Sequence, residues 1–151
     1  MSCGYHHTAA ITSDGALYSW GYGASRQLGH GGTDSERTPR RVASLEAVRC
    51  SAVACGASHT ICVDVDGAVY TWGHGLGGRL GHGSEDDEPI PRCVEALAAQ
   101  HVRAVAAGEA HCAVRTDDQI YVWGAGGYGR LGLGCADDKL SPTRLKQLSL
   151  G

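Results

Sequence analysis

The feature that most constrains this chain is a threefold internal repeat. Trp20, Trp72 and Trp123 recur at spacings of 52 and 51 residues, Gly4, Gly56 and Gly108 at 52 and 52, and Pro39, Pro91 and Pro142 at 52 and 51. Around these anchors one phrase is written three times: CGYHHTAAITSDGALYSWGYGASRQLGHG, CGASHTICVDVDGAVYTWGHGLGGRLGHG and AGEAHCAVRTDDQIYVWGAGGYGRLGLG. A unit of this length cannot bury its apolar face alone and must stack on its neighbours. The whole of 1–151 is therefore expected to be a single repeat domain, with units of approximately 1–47, 48–99 and 100–151.

Each unit reads as a group of short strands. The pairs Asp14-Gly15 and Asp66-Gly67 are turn signals, and they join HTAAIT to ALYSW and HTICVD to AVYTW as hairpins. The second hairpin strands are predicted at 16–20, 68–72 and 119–123. The third copy has Asp117-Asp118 and is one residue shorter, which predicts a different turn. Small-residue strands are expected at 52–55 and 104–107, with no counterpart ahead of Gly4. The stretch 94–105 also fits helical spacing through Val94, Leu97, Ala98, His101, Val102 and Val105, although the repeat register favours a strand. About four short strands in about 50 residues is the length of one β-propeller blade, so the expected class is all-β.

The glycines invite a different reading. Gly73, Gly75 and Gly78 fall at G-x-G-x-x-G spacing, as do Gly124, Gly126 and Gly129. A phosphate cradle needs a helix opening directly after the loop, so that its N–H groups face the anion. Here the loop runs into LGHGSEDDEPIP, which starts no helix, and Arg26 breaks the pattern in the first copy. The glycines are better explained by tight loops that need positive φ. No cofactor is expected.

With the units laid out, the chain resembles the regulator of chromosome condensation repeat family. The resemblance rests on the G-x-x-H-T/C element (Gly4–Thr8, Gly56–Thr60, Gly108–Cys112), the Asp-Gly turn, the Tyr-x-Trp-Gly strand end and the Leu-Gly-x-Gly loop end. It covers nearly all of 1–151. It implies a partial β-propeller, an arc of about three blades from a ring of typically seven. It also implies a protein–protein interaction module without catalysis of its own. The family's founding activity, guanine-nucleotide exchange on a Ran-like small GTPase, is the alternative. That activity uses a wedge inserted into a blade, for which the 52- and 51-residue spacings leave no room. A third reading is a targeting arc of a larger ubiquitin ligase. Three blades leave open edges, which favour self-association. In the family's plant ultraviolet-B photoreceptor an extra Trp follows the Gly of G-x-x-H-T. Those positions are Tyr5, Ala57 and Glu109 here, so photoreception is not expected.

The repeated residues read as structural. His7, His59 and His111 occur in every copy, which argues for backbone hydrogen bonding inside the blades rather than for one catalytic base. Trp20-Gly21, Trp72-Gly73 and Trp123-Gly124 read as packing between blades. Cys55, His59 and Cys62 form C-x3-H-x2-C, but no fourth zinc ligand is near, Cys55 is Ala107 in the third copy and Cys62 is Ala10 and Ala113 in the others, so no metal site is expected. The run Glu85-Asp86-Asp87-Glu88 has acidic counterparts at Asp34/Glu36 and Asp137/Asp138, and would line one rim able to attract a basic partner segment. No nucleophile–base pair is confined to one copy, and no catalytic motif occurs.

Charge and cysteines bound the rest. The net charge is −3, with no basic tail, which argues against direct nucleic-acid binding. No apolar run is long enough to span a membrane, and the start MSCGYHHTAA has no signal-peptide pattern. Seven cysteines without a C-x-x-C pair suit reduced thiols and a cytoplasmic or nuclear location.

Overall fold

The computed structural model describes residues 1–148. It contains three four-stranded antiparallel sheets, each a simple meander. The first holds β1 (Ser2–Cys3), β2 (His7–Ile11), β3 (Leu17–Gly21) and β4 (Glu36–Arg41). The second holds β5 (Cys50–Cys55), β6 (His59–Asp64), β7 (Val69–Gly73) and β8 (Glu88–Cys93). The third holds β9 (Ala104–Ala107), β10 (His111–Arg115), β11 (Ile120–Gly124) and β12 (Lys139–Arg144). The repeat in sequence is a repeat in register: His7 pairs with Gly21, His59 with Gly73, and His111 with Gly124.

The Asp-Gly turns take a definite form. Gly15 N–H donates to the Thr12 carbonyl at 2.9 Å, Thr12 N–H donates to the Ala16 carbonyl at 3.0 Å, and Gly15 has φ 87°. This is a turn closed by a left-handed glycine, the longer hairpin loop of the repertoire rather than the two-residue one. The third copy has the expected different turn: Thr116 N–H donates to the Gln119 carbonyl across Asp117-Asp118. Neither aspartate has positive φ.

Two expectations need correction. Residues 94–105 form neither a helix nor a continuous strand. Val94 is extended, Glu95–Leu97 make a single 3-10 turn, and strand begins only at Ala104. The helical spacing arises because Val94, Leu97 and Val102 all plug the seam between sheets. The matching stretch has the same build, with a 3-10 turn at Ala43–Leu45 and Val42 and Leu45 buried. The small-residue strand ahead of Gly4 also exists, as the two-residue β1 paired with Thr8 and Ala9.

The core lies between sheets rather than within one. Leu17, Val42 and Leu45 from the first sheet and its connector pack on Cys50, Cys62 and Trp72. Ile61, Val63, Val69, Val94, Leu97 and Val102 pack on Cys112, Val114 and Trp123. Each sheet thus depends on its neighbour for burial, as blades stacked face to face must.

Candidate functional site

The G-x-x-H loops and the long loops after the Trp-Gly pairs emerge at the same end of each meander. At this loop end the repeated residues build the seams. The ring of His7 lies over Gly4, and His59 and His111 lie over Gly56 and Gly108 in the same way. A Cβ on Gly56 would strike the His59 ring and stand 2.6 Å from the Gly108 carbonyl oxygen. All three glycines therefore permit the histidine stack, and Gly4 and Gly56 also permit the close approach of the next blade. The Trp-Gly pair has its own reason. The β3–β4, β7–β8 and β11–β12 ladders slip at the tryptophan, and Gly21, Gly73 and Gly124 take φ of 106°, 107° and 103° beside the G-x-x-H loop backbone.

Hydrogen bonds across the seams repeat as well. The Thr60 hydroxyl donates to the Gln27 carbonyl at 2.8 Å, and the Trp72 indole N–H donates to the same carbonyl at 2.9 Å. With its one proton spent, the Thr60 oxygen accepts from His7 Nε2–H at 2.9 Å, which assigns the tautomer and leaves Nδ1 bare. In the next seam Cys112 replaces threonine. Its thiol lies 3.5 Å from the Arg79 carbonyl and 3.2 Å from His59 Nε2, and the Trp123 indole donates to Arg79 at 3.0 Å. The histidine bonds thus reach side chains of the following blade, where backbone partners were expected. Nδ1 of His7, His59 and His111 is buried without a partner.

Electrostatics keep these groups neutral. Burial pushes His7 down to about 4. Burial, reinforced by the Arg79 charge, pushes His59 down to about 3. Burial raises the Cys112 thiol far above its ordinary value. The Cys112–His59 pair thus has the spacing of a nucleophile and its base but cannot become thiolate and imidazolium. Ser19 Oγ lies 3.0 Å from His30 Nε2, a pairing the sequence reading missed, as it did Thr71 with His82 at 2.8 Å. Ser19 donates to the Leu28 carbonyl, so its oxygen is an acceptor for His30, and Ser19 is fully buried.

The zinc pattern is dispersed. His59 turns to Cys112, Cys62 lies 3.9 Å from Cys50, and Cys55 N–H bonds Ser2. Among the described residues no three metal-ligating side chains converge. The glycine loops make 3-10 turns at Leu76–Gly78 and Gly127–Gly129, and among the described residues a strand rather than an α-helix follows each. A cleft of about 520 Å³ lies at the opposite end, where Thr12, Ser13, Arg49 and Ser51 help line it.

The acidic run is partly committed to its own loop. Asp87 Oδ1 accepts from Gly75 N–H at 2.9 Å and from His74 Nδ1 at 3.0 Å, and Oδ2 accepts from Arg26 of the first blade at 3.0 Å. Partial burial opposes ionisation of Asp87, but these three partners outweigh it and hold the carboxyl below its ordinary value. Asp138 and Ser35 cap Gly126 and Gly23 in the same way, which is the signal hidden in the aligned loops. Glu85 accepts from Gly77 N–H at 2.7 Å, and Glu88 pairs with Arg92 at 2.6 Å. Asp86 remains exposed, with a side chain no described residue bonds.

Around this framework the loop end differs from blade to blade. Tyr5 and Tyr22 are 64% and 48% exposed and flank His6 edge-on, with ring centroids 6.5 and 6.1 Å from it. The second blade offers Ala57, Ser58 and His74 at these positions, and the third Glu109, Ala110 and Ala125. Tyr128 stands fully exposed in a left-handed conformation with φ 60°.

Three face-packed meanders joined by repeating seams define an all-β, three-blade arc of a β-propeller. Models of the regulator of chromosome condensation (RCC1) repeat match residues 14–63, 66–115 and 117–150, and a second model of that repeat matches 50–78. The chain belongs to this family. Each of the three longer matches begins in a hairpin loop; the first two take the last two strands of one sheet and the first two of the next, and the third takes β11 and β12. Among curated proteins, the chain is 40% identical to the ultraviolet-B receptor UVR8 of Arabidopsis thaliana, over 96% of the chain and 33% of the receptor. It is 37% identical to the human E3 ubiquitin-protein ligase HERC2, over 99% of the chain and 3% of the ligase. It spans a third or less of the length of these relatives. Among solved structures it superposes on Prp20p of Saccharomyces cerevisiae, described with its binding to Gsp1p and histones, with a TM-score of 0.85, 27% identity and coverage of 95% and 37%. Human WBSCR16 shares the fold at TM-score 0.71, 21% identity and coverage of 95% and 52%.

Proposed function

We propose that this chain is a protein–protein interaction module whose loop end carries the contact surface and which performs no catalysis of its own. One observation carries the reading. The seam residues keep their roles from blade to blade, while the exposed loop-end positions change. The framework is thus held constant and the surface is free to specify a partner. Tyr5, His6 and Tyr22 supply exposed aromatic area of the kind that anchors interfaces. The Glu85–Glu88 loop supplies negative charge for a basic partner segment, with Asp86 as its uncommitted member. The reading takes 1–151 as one repeat domain.

A photo-crosslinking residue tests this. Placed at Tyr22, it should form adducts with a partner in cells. Placed at Asp14, at the other end of the blades, it should not. Equal labelling from both positions would remove the assignment of the loop end. Charge reversal of Glu85–Glu88 to lysine should weaken the captured complex and change its salt dependence.

Guanine-nucleotide exchange on a Ran-like GTPase is the second reading, favoured by the superposition on Prp20p. Absence of accelerated nucleotide release from Ran at micromolar protein would reject it. The identity to HERC2 supports a third, a targeting arc within a larger ubiquitin ligase.

A further inference from the structure

Of the four prolines, two follow a hydroxyl residue, in Thr38-Pro39 and Ser141-Pro142. Each pair opens the pattern Ser/Thr-Pro-x-Arg, completed by Arg41 and Arg144. The pairs stand at the same place in the first and third repeats, where the second has Ile90-Pro91. The hydroxyl is therefore no requirement of the fold. Ser141 and Ile90 share one setting: a Cβ on Gly83 would stand 3.6 Å from Ser141 Oγ, and one on Gly31 would stand 3.8 Å from Ile90 Cγ2.

Ser141 is presented as an accessible, extended segment. It is exposed with the second blade packed beside it, and the one described side-chain bond at Ser141 runs from Thr143 to its carbonyl, not to its hydroxyl. The β11–β12 ladder pairs Val122 with Thr143 and Gly124 with Lys139, so Leu140, Ser141 and Pro142 fall in the register slip. Pro142 has no N–H to give a ladder, and it holds Ser141 in the extended region. Ser141 lines a cleft of about 210 Å³ in the seam, together with His82, Arg92, Cys93 and Glu95. Arg92 spends Nη1 on Glu88 at 2.6 Å, and no described residue bonds its other N–H groups. His82 Nε2–H donates to Thr71, whose own proton goes to the Leu80 carbonyl, so His82 Nδ1 is left open. Burial, reinforced by the Arg92 charge, holds His82 below its ordinary value. Arg92 and His82 are thus the donors for an anion at Ser141, and Glu88 and Glu95 are the charges that oppose it.

We propose that Ser141 is a phosphorylation site for a proline-directed serine/threonine kinase, and that its phosphate enters the seam cleft against Arg92 and His82. The chemistry is phosphoryl transfer from ATP. The bond from Ser141 Oγ to the γ-phosphorus forms, the bond from that phosphorus to the β-phosphate oxygen breaks, ADP leaves, and the hydroxyl proton passes to the kinase's catalytic carboxylate. Pro142 selects this kinase class because it brings no N–H into a pocket that offers no acceptor. Arg144, exposed three residues after Ser141, supplies the cation that such kinases read. The product carries a charge of about −2 and three acceptor oxygens in place of a neutral hydroxyl.

The test is phosphorylation of the folded full chain by a purified cyclin-dependent kinase with Mg-ATP, in a Thr38→Ala background so that one motif remains. Intact mass and peptide mapping should show one phosphoryl group, at Ser141, and none in Ser141→Ala. Proton NMR of the histidines across pH then locates the phosphate. His82 should titrate at higher pH once Ser141 is phosphorylated, because a dianion in its cleft favours the imidazolium. His30, the counterpart of His82 in the first blade, should not move. Phosphorus NMR should show the phosphoserine ionising at lower pH with Arg92 present than in Arg92→Gln. No incorporation into the folded chain, or incorporation only once the chain is proteolysed, would overturn the inference. So would a His82 titration that stays in place, or a phosphoserine titration indifferent to Arg92→Gln, since the phosphate would then lie outside the cleft.

Discussion

Lowering the pH from 7.5 to 5 should destabilise this arc by about 4 kcal/mol through two buried histidines alone. His7 and His59 are held at about 4 and about 3 in the folded chain, against an ordinary value of 6.5. Both folded values are depressed, so below pH 6.5 the unfolded chain binds protons that the folded chain refuses. Stability from these groups is therefore complete above about pH 7 and is lost as pH falls through the window from 6.5 towards 4 and 3. Each unit of separation is worth about 1.4 kcal/mol. At pH 5 each histidine has traversed about 1.5 units of that window, or about 2 kcal/mol. The structural cause is specific. The His7 Nε2 proton is committed to Thr60, and a second proton would sit on an Nδ1 that is buried, lacks an acceptor and lies against Gly4. His59 has the added repulsion of Arg79. Urea unfolding between pH 7.5 and 5, followed by tryptophan fluorescence, gives the slope. His59→Gln keeps an amide donor while removing the titration, and should reduce the pH-dependent loss to about half. An unchanged pH dependence in His59→Gln would refute this reasoning, because the protons would then be taken up elsewhere.

Other outcomes follow from the seams. Gly56→Ala should cost about 3 kcal/mol, an overpacking penalty against the His59 ring and the Gly108 carbonyl. Gly32→Ala meets nothing within 4 Å and should be near neutral; urea midpoints compare the two. Thr60→Val should cost about 2 kcal/mol by leaving the His7 N–H without an acceptor and the Gln27 carbonyl one donor short. Thr60→Cys should cost less, since Cys112 already fills that role in the next seam, and equilibrium unfolding of both variants checks the order. Cys3 is exposed while Cys62 and Cys112 are fully buried, so a thiol reagent should label Cys3 at once and the other two only after unfolding, as peptide mass mapping would show.

The fold was legible because the repeat multiplies weak signals. A single Trp-Gly or G-x-x-H says little, but three in register require equivalent places, and the structure gives His7, His59 and His111 the same pairing partner in each sheet. The connector at 94–105 was harder. Residues that plug a seam recur every three to four positions for reasons of packing, and the same spacing describes a helix face. The cap formed by Asp87 was hidden because its counterpart in the first copy is Ser35, so the alignment showed acids where the structure needs only an oxygen acceptor. The seam bonds were beyond the sequence altogether. Gln27 and Arg79 act through their backbone carbonyls, and a backbone atom leaves no trace in residue identity.

The offset between the family's repeat and the sheet has a consequence for inheritance. A matched unit such as 14–63 ends within β6, and the sheet is completed by β7 and β8 from the unit after it. No unit is a blade, yet copying any one of them adds one blade, because the period is the same wherever it is cut. Lengthening an arc by duplication is thus insensitive to the breakpoint. Separating two units at their own boundary is not, since it parts a hairpin and leaves two half-sheets, each with a bare hydrogen-bonding edge.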